Sequence, residues 1–201
     1  MTDEDSRAGD GVAETADSGA DAPDDPDGGA SIADPRVVGS SGSDGPVETD
    51  EPVEAGLLLD VMLGKLATYL RMCGYDAAYA GDRGAESDDD ALALAHTEGR
   101  LLVTRDRELA ERAERSLLLS GREVLDQLEE LAEAGFDLDL PGEPARCSAC
   151  NGPVERVDRT EPTPDYAPAT FEQTVWRCRD CGQHFWKGSH WADVASTLDE
   201  L

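Results

Sequence analysis

Two pairs of cysteines in the last third of the chain carry the strongest chemical signal. Cys147 and Cys150 form one C-x-x-C motif, Cys178 and Cys181 form a second, and 27 residues separate the two motifs. One such motif lets two thiolates converge on one ion, and two motifs complete the closed tetrahedron of a structural Zn²⁺ site. Iron suits the same four-sulfur geometry, so a rubredoxin-like electron carrier is the alternative. Zinc is favoured because nothing else in the sequence indicates redox chemistry.

Acids that follow short apolar runs are the second chemical signal. Asp60 comes directly after three leucines, and Asp106 comes three residues after a Leu-Leu-Val run. Ligands of an open parallel sheet lie beyond the carboxyl ends of its strands, so we expect both carboxylates at one site. Asp88, followed by Asp89 and Asp90, begins a predicted helix whose N-terminus would face the same crevice. The alternative is that these acids only cap helices, because Asp is a favoured N-cap residue.

Such a group of acids would need a cation. Carboxylates that are brought together repel one another and raise each other's pKa unless a divalent ion neutralises them. A few carboxylates around a hard cation are the usual way to bind Mg²⁺ or Mn²⁺ for phosphodiester hydrolysis. The candidate catalytic acids are Asp60, Asp88, Asp89, Asp106 and Glu108. The candidate phosphate-binding residues are Lys65 and Arg105.

The secondary structure predicted around these acids is an alternation of strands and helices. Short apolar runs predict strands at 57–59, 76–80, 101–103 and 116–119. Helical spacing of apolar residues predicts helices at 63–74, 87–99, 107–115 and 121–134. This order indicates an α/β fold, with a parallel sheet flanked by helices on both faces.

Composition divides the chain into three segments. Residues 1–55 contain no aromatic residue and no sustained apolar period, so we expect a disordered acidic tail. Residues 56–143 hold the predicted sheet. Residues 144–201 hold the two cysteine motifs and all three tryptophans, and we expect a four-cysteine zinc ribbon there.

Several stretches resemble a known family in order along residues 57–192. These stretches are DVMLGKLA at 60–67, YLRMCGYD at 69–76, SDDD at 87–90, EGRLLVTRDREL at 98–109 and WKGSHW at 186–191. They resemble the mut-seven C-terminal RNase family, a PIN-like group. The resemblance implies a PIN-like nuclease domain over residues 56–143 and divalent-metal-dependent cleavage of RNA.

The same resemblance implies which acids bind the catalytic metal. They would be Asp60, Asp88 and Asp106, with Glu108 or Asp89 as the further acid. The choice among residues 88 to 90 stays open by one position.

The aromatic residues of the expected zinc ribbon allow two interpretations. They would stack single-stranded bases while nearby cations meet phosphates, or they would form the core of a module that has little else to bury. The candidate RNA-contact residues are Arg146, Arg177, Arg179, Trp186 and Lys187. His184 and His190 are expected to be hydrogen-bonded structural residues, since four thiolates already close the metal site.

The charge of the chain bears on its origin and its partners. The net charge is −28, and only two lysines accompany fifteen arginines, a balance that resembles proteins of extreme halophiles. In molar salt the Debye length is about 3 Å, so a dense acidic surface repels itself little. The alternative is an acidic mesophilic protein with a charged tail. Such acidity disfavours broad electrostatic attraction to nucleic acid, so RNA binding would rest on metal bridging, stacking and local arginine contacts.

The sequence therefore predicts a cytoplasmic, metal-dependent endoribonuclease. No run approaches the roughly 20 apolar residues of a membrane span, the N-terminus lacks the features of a signal peptide, and no motif indicates a small-molecule organic cofactor. The expected partner is RNA, and the sequence identifies no protein partner. The alternatives are a catalytically silent RNA- or ribosome-binding protein and the rubredoxin-like redox module.

Overall fold

The elements of the structure follow the predicted order, with additions near both ends. The computed structural model describes residues 56–201 and the backbone of residues 37–39. The strands are β1 (Val37–Gly39), β2 (Leu57–Leu59), β3 (Ala77–Tyr79), β4 (Leu101–Thr104), β5 (Arg115–Leu118), β6 (Val154–Arg156), β7 (Val175–Cys178) and β8 (His184–Trp186). The helices are α1 (Gly64–Met72), α2 (Asp88–Glu98), α3 (Arg107–Arg112), α4 (Val124–Glu133) and α5 (Ser189–Leu198). Short 3₁₀ turns at Val61–Leu63 and Gly81–Arg83 follow β2 and β3.

The first sheet has the strand order β1-β5-β4-β2-β3. β2 pairs in parallel with β3 and with β4, and β4 pairs in parallel with β5. The predicted α/β fold with a parallel sheet is therefore confirmed. β1 adds an antiparallel strand beside β5, and it lies within residues 1–55, the predicted disordered tail. The rest of that predicted tail lies outside the described residues.

Alternating side chains divide the core into two layers, one on each face of the sheet. Leu57 and Leu59 pack with residues of α1 and α4, whereas Leu58 packs with residues of α2 and α3. Successive residues of a strand point to opposite faces, so a strand covered by helices on both sides must be apolar throughout. This is why three consecutive leucines, all fully buried, form β2.

Local capping sets the ends of α2 where the sequence predicts them. The Ser87 hydroxyl accepts a hydrogen bond from the backbone N–H of Asp90 at 3.2 Å, which satisfies one of the free donors of the first turn. At the other end, Gly99 adopts a φ of 64°, a left-handed conformation that glycine enters without steric cost. The three acids of the first turn are consequently held at the N-terminus of α2.

The cysteine module, which comprises β6 to β8, α5 and the four cysteines, contains a second sheet. Its three strands are antiparallel in the order β6-β7-β8. Helix α5 is an addition to the predicted elements, although Trp191, Val194 and Leu198 follow a helical spacing that indicates it. Val194 is buried, and Leu198 packs against the core layer that contains α1 and α4. Helix α5 therefore ties the cysteine module to the first sheet.

The loop of the first C-x-x-C motif covers the edge strand β3. The guanidinium of Arg71 donates to the carbonyl oxygens of Ser148 and Ala149 at 3.2 and 3.0 Å. The side-chain oxygen of Asn151 accepts a hydrogen bond from the backbone N–H of Ala77 at 3.0 Å. Asn151 has a φ of 70°, a region that asparagine tolerates better than most residues. These contacts satisfy a donor of β3 that would otherwise face outward.

Asp76 lies at the centre of this junction. Its carboxylate accepts hydrogen bonds from Arg100 at 2.9 Å and from the Asn151 amide at 2.6 Å, and Arg146 lies 3.5 Å away. Burial by itself raises the pKa of Asp76, but the hydrogen bonds and the two positive charges outweigh it and hold the pKa below its ordinary value. The junction therefore requires an ionised Asp76.

The described residues from 56 onward belong to one compact unit. The boundary between residues 143 and 144 stays a prediction. Within the described part of the chain, no helix has the length and apolarity needed to cross a bilayer.

Candidate functional site

The strand order places a switch point between β2 and β4. The chain runs from β2 to β3 on one side, then crosses back over β2 to form β4 and β5 on the other. Connections leave these two neighbouring strands on opposite sides, which opens a crevice beyond their carboxyl ends. Asp60 directly follows β2, and its backbone N–H donates to Val103 of β4 at 3.0 Å. Asp106 follows β4 by two residues, so both acids lie at this crevice.

Thr104 connects the two acids. Its hydroxyl donates a hydrogen bond to Asp60 Oδ2 at 2.7 Å and accepts one from the backbone N–H of Asp106 at 3.0 Å. Thr104 is fully buried, so no water competes for these bonds. Only one hydroxyl therefore separates the Asp60 carboxylate from the Asp106 backbone.

Both carboxylates also cap the elements that follow them. Asp60 Oδ1 accepts the backbone N–H of Val61 at 2.6 Å, and Asp106 Oδ1 accepts that of Leu109 at 3.0 Å. The capping interpretation is thus correct for each acid, but it does not exclude a ligand role because each carboxylate oxygen has two lone pairs. Asp60 is only 6% exposed, which fixes its orientation.

The acids of α2 have other partners. Asp88 lies 3.6 Å from Arg112 of α3, and Asp89 forms an ion pair with the same guanidinium. Asp90 accepts a hydrogen bond from the Ser87 hydroxyl at 2.6 Å. The side chains of Asp88 and Asp89 are 55% and 84% exposed, so solvent screens both contacts. The structure thus links the Asp60 carboxylate to the backbone of Asp106 through Thr104, and it pairs Asp88 and Asp89 with Arg112.

The remaining candidates of the crevice differ in burial. Lys65, in the first turn of α1, and Glu108, in the first turn of α3, are exposed. Arg105 is half-buried, and its Nε is a buried donor without a hydrogen-bond partner in the described part of the protein. A buried donor without a partner is uncommon, because its desolvation is not offset.

Three residues of the crevice escape the sequence predictions. Thr104 reads as the last residue of a strand, and only the pairing of β2 with β4 gives its hydroxyl two partners. Val61 and Met62 follow Asp60 and are 45% and 49% exposed, an apolar surface at the mouth of the crevice. The exposure of Val61 and Met62 follows from their place in a 3₁₀ turn, because successive side chains of such a turn cannot all face the core.

The four cysteines converge as the two motifs predict. Cys147 Sγ lies 3.7 Å from Cys181 Sγ, Cys150 Sγ lies 3.5 Å from Cys178 Sγ, and all four sulfurs fall within 4.8 Å of one another. A tetrahedron with Zn–S bonds of about 2.3 Å has sulfur–sulfur edges of roughly 3.8 Å, so the cluster fits a structural Zn²⁺ ion. Within residues 56–201 this is the one group of three or more Cys, His, Asp or Glu ligands gathered so closely.

The environment of the thiols favours metal-coupled ionisation. Burial raises the pKa of Cys147 and of Cys150. Burial also raises the pKa of Cys178, but hydrogen bonds from the backbone N–H groups of Cys181 and Asp180 oppose burial, and the pKa of Cys178 lies below its ordinary value overall. Metal binding must therefore displace protons from the thiols of Cys147 and Cys150.

Cys73 stands apart from this cluster, at the end of α1. Its thiol donates to the carbonyl oxygen of Leu138 at 3.3 Å. Burial, together with the charges of Asp137 and Asp139, raises the pKa of Cys73 to about 12. Cys73 is consequently a packed, protonated residue.

The candidate RNA-contact residues fall into two groups: the three arginines pair with acids, whereas Trp186 and Lys187 lie beside aromatic rings. Arg177 pairs with Glu155 and Glu161, and Arg179 also pairs with Glu155, while Arg146 contacts Asp76. Trp186 lines an aromatic cleft. The ammonium of Lys187 lies 4.7 Å from the centroid of the Trp191 ring, a cation–π contact.

Comparison with known proteins connects this architecture to a family. A family model described as Mut7-C RNAse domain matches residues 55–198, which include the four parallel strands of the first sheet and the cysteine module. No curated protein and no solved structure matches the chain.

Proposed function

Because the chain belongs to the Mut7-C RNAse domain family, whose description indicates a ribonuclease-type function, we propose that it cleaves RNA internally with bound Mg²⁺ or Mn²⁺. One observation carries this proposal. Asp60 and Asp106 lie at the switch point of a parallel sheet and share the hydroxyl of Thr104. This crevice is where open α/β sheets bind their ligands.

The donor set of the crevice suits a hard cation. Asp60 and Asp106 supply carboxylate oxygens, which Mg²⁺ and Mn²⁺ prefer over the sulfur ligands of the cysteine module. These two residues would hold the ion, which supplies Lewis acidity at the scissile phosphate and offsets the repulsion between the acids. Thr104 would act as a positioning residue, because its hydroxyl fixes the Asp60 carboxylate.

Cations around the crevice would hold the RNA backbone. The Nε of Arg105 lacks an internal partner in the described part of the chain, and a phosphate oxygen would satisfy it. Lys65 is exposed in the first turn of α1 and can reach outward to a neighbouring phosphate. Both residues would orient the strand so that the scissile bond lies over the two acids.

A third acid would complete the site from one of two elements. Glu108 lies two residues beyond Asp106, whereas Asp88 and Asp89 begin α2 and contact Arg112. Since those two contacts are solvent-exposed, these acids can exchange Arg112 for a divalent metal ion at little cost in free energy. We propose Asp88 as the further ligand, with Asp89 or Glu108 as its substitute.

The test is cleavage of mixed RNA substrates by the zinc-loaded full chain, in molar salt, with and without Mg²⁺ or Mn²⁺. We expect Asp60→Asn and Asp106→Asn each to lower the rate by more than about 100-fold, since even residues behind metal ligands are worth 10–100-fold. Asp139→Asn is the matched control, because Asp139 is exposed and its charge acts on Cys73, at the end of α1 that is remote from Asp60. Cleavage that persists in both crevice variants would remove these carboxylates from the mechanism.

A catalytically silent RNA-binding protein is the second candidate, and the ion pairs of Asp88 and Asp89 with Arg112 favour it. It predicts RNA binding with no turnover under any divalent metal. Turnover that depends on Asp60 would exclude this candidate.

A further inference from the structure

An aromatic cleft lies in the cysteine module between β8 and the start of α5. Its walls include Trp176, Trp186, Trp191 and Phe185, so all three tryptophans of the chain line it. Trp176 is buried, whereas Trp186 and Trp191 are half-buried and keep part of each ring accessible. Accessible indole faces beside one another provide stacking surface for a planar ring.

A second cavity adjoins this one, shares Trp186 and His190 with it, and is lined by Gly188 and Ser189 at the N-terminus of α5; the two together form the cleft. No side chain caps this ten-residue helix, and its first turn contains no acid. Its first internal hydrogen bond joins the N–H of Ala192 to the carbonyl of Gly188 at 3.1 Å. The backbone N–H groups of residues 189 to 191 therefore have no acceptor within the described part of the chain and can bind an anion, which the helix dipole also favours.

His184 is an independent indication of a ligand at this end of the cleft. The side chain lines the cleft together with Ser189, yet the residue is only 9% exposed. Its Nδ1 has no hydrogen-bond partner among the described residues. A buried ring nitrogen without a partner is costly, so the site calls for a polar group supplied from outside.

The charge of the cleft matches an anion. In a chain of net charge −28, neither the aromatic walls nor the α5 end of the cleft includes an acidic side chain within the described residues. Arg146 lines the aromatic end, and Lys187 lies over Trp191. A Cβ at Gly188 would lie 2.7 Å from Trp186 Nε1, so glycine is needed for the indole to approach the helix start. This approach brings the stacking surface next to the free N–H groups.

We propose that this cleft binds one nucleotide of single-stranded RNA, with the base on Trp186 and Trp191 and the phosphate at the N-terminus of α5. The inference rests on the proposed function, because it takes RNA to be the ligand. Stacking is tolerant of base identity, so the cleft selects unpaired strands rather than a sequence. It would hold the substrate at a distance from the crevice of Asp60 and Asp106.

The test uses the intrinsic fluorescence of the zinc-loaded full chain, because every tryptophan lies in the cleft. The probe is a six-nucleotide RNA titrated without added Mg²⁺ or Mn²⁺, and we expect saturable quenching. Inorganic phosphate and a nucleoside monophosphate are the parallel probes, and we expect the monophosphate to quench where phosphate does not. Quenching by neither RNA nor monophosphate would overturn the proposal.

Two substitutions at one position test the role of the α5 N-terminus. Ser189→Pro removes a backbone N–H at the first helical position, where proline is tolerated, and Gly188 before it is already extended. Ser189→Ala keeps that N–H and is the matched control. We expect the proline variant to bind the RNA about tenfold more weakly than the alanine variant, the effect of one charge-assisted hydrogen bond. Equal affinities would overturn the placement of the phosphate.

Cleavage assays separate this inference from the proposed function. RNA that quenches the tryptophans but is never cleaved supports the cleft and contradicts the nuclease. RNA that is cleaved through Asp60 without any change in fluorescence contradicts the cleft and leaves the nuclease intact.

Discussion

Removing the Thr104 hydroxyl should both destabilise the protein and impair the crevice. Thr104→Val keeps the shape of the side chain but deletes a buried hydrogen bond to the Asp60 carboxylate at 2.7 Å and a partly buried one from the backbone N–H of Asp106 at 3.0 Å. A hydrogen bond to a charged group is worth about 1.5–3 kcal/mol, and an unsatisfied N–H costs about 1–3 kcal/mol. The Asp106 backbone is only half-buried, so we take the lower part of the combined range, about 3 kcal/mol.

Thermal unfolding of the zinc-loaded chain measures this loss. For a domain of this size, about 3 kcal/mol corresponds to a Tm decrease of roughly 6–12 °C. Thr68→Val is the control, because the Thr68 hydroxyl makes only a 3.5 Å contact to Gly64 within its own helix. We expect the control to change stability by less than about 1 kcal/mol.

A conservative variant separates positioning from stability. Thr104→Ser retains the hydroxyl and loses one methyl group, so it should keep cleavage within a few-fold of the parent while Thr104→Val loses more than about tenfold. Unfolding of Thr104→Val at the temperature of the Thr68→Val control would show that the two hydrogen bonds of Thr104 do not stabilise the fold. Failure of serine to restore the activity that valine removes would show that the Thr104 hydroxyl does not position Asp60.

The remaining predictions concern the junction and the metal centre. Asp76→Asn should lower stability by about 1 kcal/mol at neutral pH, discounted for partial exposure. The folded protein depresses the pKa of Asp76, so Asp76 stabilises the fold fully above its unfolded pKa of about 3.9. This stabilisation disappears as pH falls through the folded pKa. The free energies of unfolding of variant and parent, measured by urea titration, should therefore become equal in acid. The purified chain should be colourless and contain one equivalent of zinc. Cys147→Ser should lower the zinc content, and the control Cys73→Ser should leave it unchanged. Visible absorbance typical of an iron–sulfur site would contradict this prediction. Because burial raises the pKa of Cys147 and Cys150, protons compete with the metal for these thiols. Zinc release, monitored with an indicator dye, should therefore increase as the pH is lowered from about 7 to about 5. Zinc release that is independent of pH would refute this coupling.

Local pattern accounts for the elements that the sequence predicts correctly. β2 is a run of three leucines because helices cover both faces of the sheet, and the ends of α2 follow from Ser87 and Gly99. Helix α5 escapes prediction although its apolar spacing is regular, because aromatic and cysteine residues dominate the composition around it. β1 has no such signal, since three residues in an acidic segment gain strand structure only by pairing with β5.

The partners of the charged residues depend on the fold. Arg177 and Arg179 are basic in the sequence, yet both form ion pairs with Glu155 once β6 pairs with β7. In the same way, Arg112 holds Asp88 and Asp89 only because α2 and α3 lie on the same face of the sheet. Spacing along the chain contains no information about such neighbours.

By itself, the sequence determined the α/β order of the first sheet and the four sulfur ligands, since hydrophobic period and C-x-x-C spacing act over a few residues. The tertiary structure alone decided that the Thr104 hydroxyl binds the Asp60 carboxylate, 44 positions away along the chain, because β2 pairs with β4. It also decided that the tryptophans meet the uncapped end of α5. The physical reason is that a hydrogen bond or a stacked ring requires contact within a few ångströms, and strand order, not sequence distance, sets which side chains come that close.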